Sequence, residues 1–279
     1  MMLDKMKMLI VGHGFVGKAV DYGFSHPKVH KTIVDPKYPD SPKLEDLNIG
    51  QYELIFVCVP TPFGKDGKID SSILEDVMVK LRSGNKIFDN TIAIKSTVTP
   101  DILRKVKGHG VVYNPEFLTE KSANEQFINP QFHVIGGAFT DAQRLGRYYK
   151  KYSLCNPCRI HYMGIEEASF VKYTINSFLA LKVTFFNQLY DAAVQNDIDF
   201  NQVINVVGED SRVGHSHTKV PGFDGKQGYG GACFPKDTSA LTKFSDKLSL
   251  LEKAIIINNQ YRSQYEKDER EIEQNVNYG

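Results

Sequence analysis

Residues 7–20, KMLIVGHGFVGKAV, carry the reading that decides the fold. Residues 7–11 are a short apolar run of strand character, residues 12–17 spell GHGFVG, and a helical pattern continues through Ala19, Val20 and Phe24. A second strand-like run, KTIVD, ends at Asp35, 18 residues after Gly17. Strand, glycine turn, helix, strand and terminal acid fit one βαβ unit that binds a dinucleotide. In that reading Gly12 permits the tight turn, Gly14 lets the backbone approach a pyrophosphate, and Gly17 allows close helix–strand packing. The N–H groups at Phe15 and Val16 and the positive end of the helix dipole would meet the phosphates. Asp35 would hydrogen-bond a ribose diol and repel a 2′-phosphate, which favours NAD over NADP. The plainer alternative is a glycine-rich structural turn followed by a solvated aspartate. His13 occupies a variable turn position and is given no catalytic role.

Working outward, strand-like runs recur at 53–59, 90–96, 110–113, 132–137 and 158–162, with helical patterns between several of them. This alternation predicts an α/β fold: a Rossmann-like, doubly wound, mostly parallel sheet with helices on both faces. After Met163 the pattern changes. Residues 165–195 contain no proline or glycine and predict a single helix of about 45 Å. It is apolar on most faces, which predicts burial between domains or subunits. Residues 211–231 read as loop, and two further helices follow from Pro235 and near Leu250. The tail from Tyr265 reads as a solvated or fraying end. The chain thus divides into a cofactor-binding domain at 1–163 and a mainly α-helical domain with a long central helix at 164–279. Two domains suit 279 residues at about 150 per domain.

With 34 Lys+Arg against 33 Asp+Glu, the net charge is +1, which argues against a general nucleic-acid binder and against a polybasic membrane anchor. No apolar run approaches the roughly 18 residues of a membrane span, and the first residues lack a signal-peptide pattern. Four cysteines make no disulfide framework, so a cytoplasmic location is expected. Cys155 and Cys158 form a CxxC without a second pair or a histidine cluster, and His215 and His217 stand in a polar loop. No metal site is predicted.

The chemistry rests on five segments: VCVPTP (57–62), KSTVTP (95–100), NPEFLTE (114–120), residues 166–189, and GYGGACFPKD (228–237). Cys233 follows a glycine run and precedes Pro235, a residue suited to the first helical position. It would stand just before a helix N-terminus, where a thiolate is stabilised. Its alternative is a small buried hydrophobe. Lys172 and Asn176, four residues apart, share a face of the long helix and could donate to a developing oxyanion. They could equally be a snorkelling lysine and a hydrogen-bonded core asparagine. Asp237 could orient water or Lys172, or simply favour the first turn of its helix. Glu116 and Glu120 are either a water-activating pair or loop carboxylates.

Taken in this order after a Rossmann start, the segments resemble the UDP-glucose/GDP-mannose dehydrogenase family over residues 8 to about 259. The resemblance implies oxidation of the C6 alcohol of a nucleotide sugar to a carboxylate with two NAD per turnover. It implies Cys233 as nucleophile, Lys172 and Asn176 as oxyanion donors, Asp237 as organiser of water and lysine, and Thr97 and Glu120 near the nicotinamide and the hydrolytic water. Pro60 and Thr61 match a cofactor-lining turn. Glu116, Phe117, Leu118, Tyr229 and Gly230 match substrate contacts. Arg212 matches an arginine that reaches a substrate in the neighbouring subunit, which implies a homodimer through the long helix. The family also carries a third, nucleotide-holding domain, whereas only 46 residues follow Cys233. A separate chain supplying that domain, a smaller alcohol substrate, or an NAD-binding protein with little catalysis are therefore kept as alternatives.

Overall fold

The structure, a computed structural model, describes residues 5–64, 66–83, 89–119 and 122–279. Two compact units form: Met1–Thr61 with Asp70–Lys172, and Pro62–Ile69 with Tyr173–Gly279.

The first unit is built on one seven-stranded sheet. Strands β1 (Met6–Val11), β2 (Val29–Val34), β3 (Leu54–Val57), β4 (Thr91–Ile94), β5 (Val111–Tyr113), β6 (Phe132–Gly137) and β7 (Arg159–Met163) lie in the order 2-1-3-4-5-6-7. Each overlaps a run expected from the sequence, with β1, β2 and β7 reaching one or two residues beyond it. All neighbours are parallel except β5 and β6, which pair antiparallel with Val112 opposite Gly137. The central strands β3 and β4 are buried along their whole length, as near-continuous apolar runs covered on both faces should be. Helices α1 (Phe15–Gly23), α2 (Ser72–Arg82), α3 (Pro100–Val106), α4 (Ala123–Ile128) and α5 (Phe139–Tyr152) complete the unit. On one face Phe24 of the α1 C-cap packs against Phe56, Phe127 and Tyr149, with ring centroids 5.2–6.4 Å apart. Chain order reverses around β1, flanked by β2 and β3, so the turn after β1 opens at the switch point of the sheet.

Helix α6 (Ile165–Gln195) has the bounds predicted from the proline- and glycine-free run, with Glu166 and Glu167 in its first turn, where the helix dipole favours them. In the second unit it is followed by α7 (Phe200–Val207), α8 (Phe234–Phe244), α9 (Ser249–Arg262) and α10 (Glu269–Glu273). Asp199 caps α7 by accepting from the N–H groups of Asn201 and Gln202. A small core joins Phe186, Ala193, Phe200, Ile204 and Val220.

Most of the tail is solvent-exposed, as its composition predicts, yet three of its residues are tied into the unit. Glu271 is fully buried, Val276 and Tyr278 are buried, and Asp268 starts α10 with a reciprocal capping box to Glu271. The charge-rich composition pointed to solvent because the partner of Glu271, Arg262 on α9, is invisible to a count of charges.

Candidate active site

In the first unit the glycine turn links β1 to α1. Gly12 has φ +88°, and a Cβ there would lie 2.6 Å from the Cys58 carbonyl oxygen; one on Gly17 would lie 2.1 Å from the Gly12 oxygen. Both positions therefore exclude side chains for reasons internal to the fold. Gly14 is different. It is the N-cap of α1, no side chain caps the helix, and a Cβ on Gly14 would meet nothing within 4 Å. Packing within the unit does not require glycine there, whereas a ligand lying against the backbone and the N–H groups of Phe15 and Val16 does. The cradle fits an NAD pyrophosphate.

Asp35 follows β2 and is buried. Its Oδ2 accepts from the His13 N–H at 2.6 Å and its Oδ1 from the Lys37 N–H at 2.9 Å. The acid is thus tied to the glycine turn itself, and a carboxylate with about four acceptor positions retains capacity for a ribose diol. Pro60, Thr61 and Thr97 lie after the carboxyl ends of the neighbouring strands β3 and β4, and the Thr61 hydroxyl donates to the Thr97 carbonyl at 2.8 Å. The turn after β5 carries Glu116, Phe117 and Leu118. Buried Lys172 on α6 donates to the Glu116 carbonyl at 2.6 Å and to its Oε1 at 3.3 Å, while Glu116 Oε2 accepts from the Leu118 N–H at 2.6 Å. The Lys172 ammonium also lies 5.3 Å from the Phe117 ring centroid. Glu116 therefore holds both its own turn and the lysine. Glu120, assigned to the hydrolytic water by resemblance, lies outside the described residues.

In the second unit Cys233 is the N-cap of α8, an exposed thiol at the start of a helix whose first turn closes through Asp237 N–H to the Cys233 carbonyl at 2.9 Å. Asp237 is fully buried. Its Oδ2 accepts from Asn176 Nδ2 and its Oδ1 from Lys236 Nζ, each at 2.6 Å. Asn176 is held by the acid one turn into the cysteine's helix. Lys236, itself buried, is the residue that sequence reasoning passed over. A lysine beside a helix-capping proline gives no local sign that its ammonium is enclosed.

Tyr229 and Gly230, matched to substrate contacts, are engaged with the protein itself. Asn258 bonds the backbone N–H of Tyr229 at 2.6 Å and its carbonyl at 3.0 Å, and burial pushes the Tyr229 phenol up to about 12. A Cβ on Gly230 would collide with Arg262 and Glu271. Arg212 is exposed and forms a two-pronged pair with Asp210, Nε–Oδ1 3.0 Å and Nη2–Oδ2 2.6 Å. Among the described residues no three His, Cys, Asp or Glu side chains converge as a metal site, and no helix is long and apolar enough to cross a membrane.

Comparison with known proteins places this geometry in context. Residues 44–153 match the NAD binding domain, and residues 166–260 the central domain, of the UDP-glucose/GDP-mannose dehydrogenase family. The glycine turn lies ahead of the first matched segment. A UDP-glucose 6-dehydrogenase of Pseudomonas aeruginosa is 33% identical over 208 residues, covering 70% of this chain and 45% of that protein. One from Campylobacter jejuni is 28% identical over 295 residues, covering 93% and 73%. The chain thus spans about half the length of several curated relatives it matches. A UDP-glucose dehydrogenase structure from Pyrobaculum islandicum superposes with a TM-score of 0.76 at 26% identity, over 92% of this chain and 68% of that one. A UDP-D-ManNAc dehydrogenase from Pyrococcus horikoshii shares the fold, with a TM-score of 0.78 at 20% identity over 93% and 69%.

Proposed function

Because the chain belongs to the UDP-glucose/GDP-mannose dehydrogenase family and carries that family's NAD binding domain, we propose that it oxidises a nucleotide sugar by four electrons, converting UDP-glucose to UDP-glucuronate. The observation that carries this reading is Cys233 at the head of α8, with the Asp237–Asn176 pair one turn further on. The helix dipole favours the thiolate at that position.

Bound NAD supplies the hydride acceptor, one molecule for each oxidation. The first oxidation removes a hydride and a proton from the C6 alcohol and leaves an aldehyde. Cys233 Sγ then adds to the aldehyde carbon, and the oxygen takes a proton to give a thiohemiacetal. Loss of a second hydride and that proton leaves a thioester on Cys233. Water attacks the carbonyl carbon, the C–S bond breaks, and the acid leaves as the thiol is restored. Lys172 and Asn176 serve as donors to the oxyanion of the additions, with Glu116 and Asp237 fixing their respective side chains. Thr97 and Glu120 are assigned to the nicotinamide and the hydrolytic water, and Asp35 to the NAD ribose.

NADH formation is measured against a panel of UDP- and GDP-sugars and simple alcohols, beside Cys233→Ser. Two NADH per UDP-glucose in the wild type, and no acid from Cys233→Ser despite retained NAD binding, are the expected results. Acid formation by Cys233→Ser at the wild-type rate would remove the covalent mechanism. Turnover of a small alcohol alone would move the reading to a different substrate. Addition of a separately produced C-terminal domain of a relative tests whether another chain supplies the nucleotide grip.

We further propose a homodimer through α6. Phe178 and Phe185 on α6 and Val206 on α7 are each more than half exposed, and α6 and α7 border an apolar groove of about 790 Å³ that Arg212 also lines. A contiguous exposed apolar patch marks an interaction surface, and a second copy of the chain is the occupant proposed for it. Light scattering and activity on dilution should fall together; a fully active monomer would refute it. The four thiol cysteines support a reducing, cytoplasmic setting.

A further inference from the structure

Resting on the reading of Cys233 as nucleophile, we propose that Glu271, in the tail of the chain, is a positioning residue for the cysteine loop. Residues 228–231 have no helix or strand ladder to hold them, and side chains from three helices do so instead. Asn187 on α6 accepts from the Gly228 N–H at 2.9 Å, Asn258 on α9 bonds both backbone groups of Tyr229, and Glu271 Oε1 on α10 accepts from the Gly231 N–H at 2.9 Å. The last anchor is two residues from Cys233.

Glu271 is itself fixed from every side. Its Oε1 also accepts from Arg262 Nη2 at 2.8 Å and from the Tyr278 hydroxyl at 2.6 Å, and its Oε2 accepts from the Asp268 N–H at 3.0 Å. Arg262 Nη1 also donates to Asp224 Oδ2 at 2.7 Å. This network fills the space beside Gly230, where any Cβ would lie 2.0 Å from Arg262 Nη2 and 2.5 Å from Glu271 Oε1. Gly231, at φ +77°, has open space around its missing Cβ, so the Glu271 bond fixes its backbone where side-chain packing does not. A shift of the Gly231 amide carries Cys233 off the head of α8, and a displacement of about 1 Å at a reacting atom is enough to cost about 100-fold in rate.

Glu271→Ala, Glu271→Gln and Val276→Ala are compared with wild type in the full chain. The rate of iodoacetamide alkylation at Cys233 is followed by mass spectrometry across pH, beside kcat, KM and thermal unfolding. Glu271→Ala is expected to slow alkylation at neutral pH by about tenfold and move its pH midpoint upward, because the thiolate leaves the helix terminus. It should lower kcat by about 10- to 100-fold with little change in KM. Glu271→Gln keeps an oxygen for Gly231 and should restore alkylation to within about threefold. Val276→Ala trims a buried side chain of the same tail and removes none of the loop's hydrogen bonds; it should lower the melting temperature and leave the alkylation profile unchanged. A folded Glu271→Ala with the wild-type profile, or an equal shift in Val276→Ala, would overturn the proposal. Should Glu271→Ala not fold, Tyr278→Phe, which removes one support of Glu271, should shift the profile in the same direction by about threefold, and an unshifted profile there overturns it. Failure of the wild type to oxidise any nucleotide sugar would defeat the functional reading, while the alkylation comparison would still decide the role of Glu271.

Discussion

Asp237 offers the sharpest test of how the second unit is held together. Its side chain is 1% exposed and that of Lys236 is 7% exposed, with Oδ1 and Nζ 2.6 Å apart, and its other oxygen accepts from Asn176. Replacing Asp237 by alanine strands a buried ammonium and removes the acceptor of a buried amide. Breaking a buried pair from one side costs about 3–5 kcal/mol, and the unpaired amide adds about 1 kcal/mol or more. For a chain of this size that predicts a fall in melting temperature of about 10 °C. Removing the charge on both sides, as Lys236→Met with Asp237→Leu, should recover most of the loss, because two apolar groups of similar bulk need no partner. The assay is urea unfolding followed by circular dichroism for the four members of the Lys236/Asp237 double-mutant cycle. Coupling of about 1.5 kcal/mol or more is expected. The double variant should fold yet fail to release acid, which separates the structural part of Asp237 from its assigned part in catalysis. If the Asp237 variant is within about 1 kcal/mol of wild type, or the two substitutions add within about 0.5 kcal/mol, the pair does not carry the load assigned to it here.

Further tests address the first unit and the acid limb. Gly17→Ala forces a Cβ to 2.1 Å from the Gly12 oxygen, so it should destabilise the unit by about 1–3 kcal/mol and weaken NAD binding in calorimetry; unchanged affinity would remove the turn from the cofactor site. Asp35→Ala should narrow the preference for NAD over NADP in a comparison of both dissociation constants. His133 is pushed down to about 4 by burial and by Lys95, so the native state refuses a proton that the unfolded chain takes near 6.5. Its contribution is intact above that value and is lost as pH falls from about 6.5 to 4, and His133→Phe should flatten that limb of a stability–pH curve. Burial alone would raise Glu271, but the Tyr278 hydroxyl, the Gly231 and Asp268 amides and Arg262 together hold it at about 2. Its stabilisation is therefore complete above about 4.5 and disappears toward pH 2, a limb that Glu271→Gln should abolish.

Much of this protein was legible from local pattern. The seven strands stand where apolar runs of strand length occur, and α6 begins directly after Gly164 and runs through a stretch free of proline and glycine. Cys233 falls at a helix cap because Pro235 and the glycines around it allow little else. These features depend on interactions spanning a few residues, so composition and spacing contain them. The sequence by itself therefore determined most of the elements, the glycine turn and the place of Cys233.

Tertiary structure alone decided which groups meet. Lys172 finds Glu116 across 56 residues, Asn176 finds Asp237 across 61, and Gly231 finds Glu271 across 40. The tail read as solvated became the anchor of the cysteine loop, and Lys236 became a buried cation. Burying a charge is unfavourable unless a partner meets it, and the partner is supplied by the folding of distant segments rather than by neighbours in the chain.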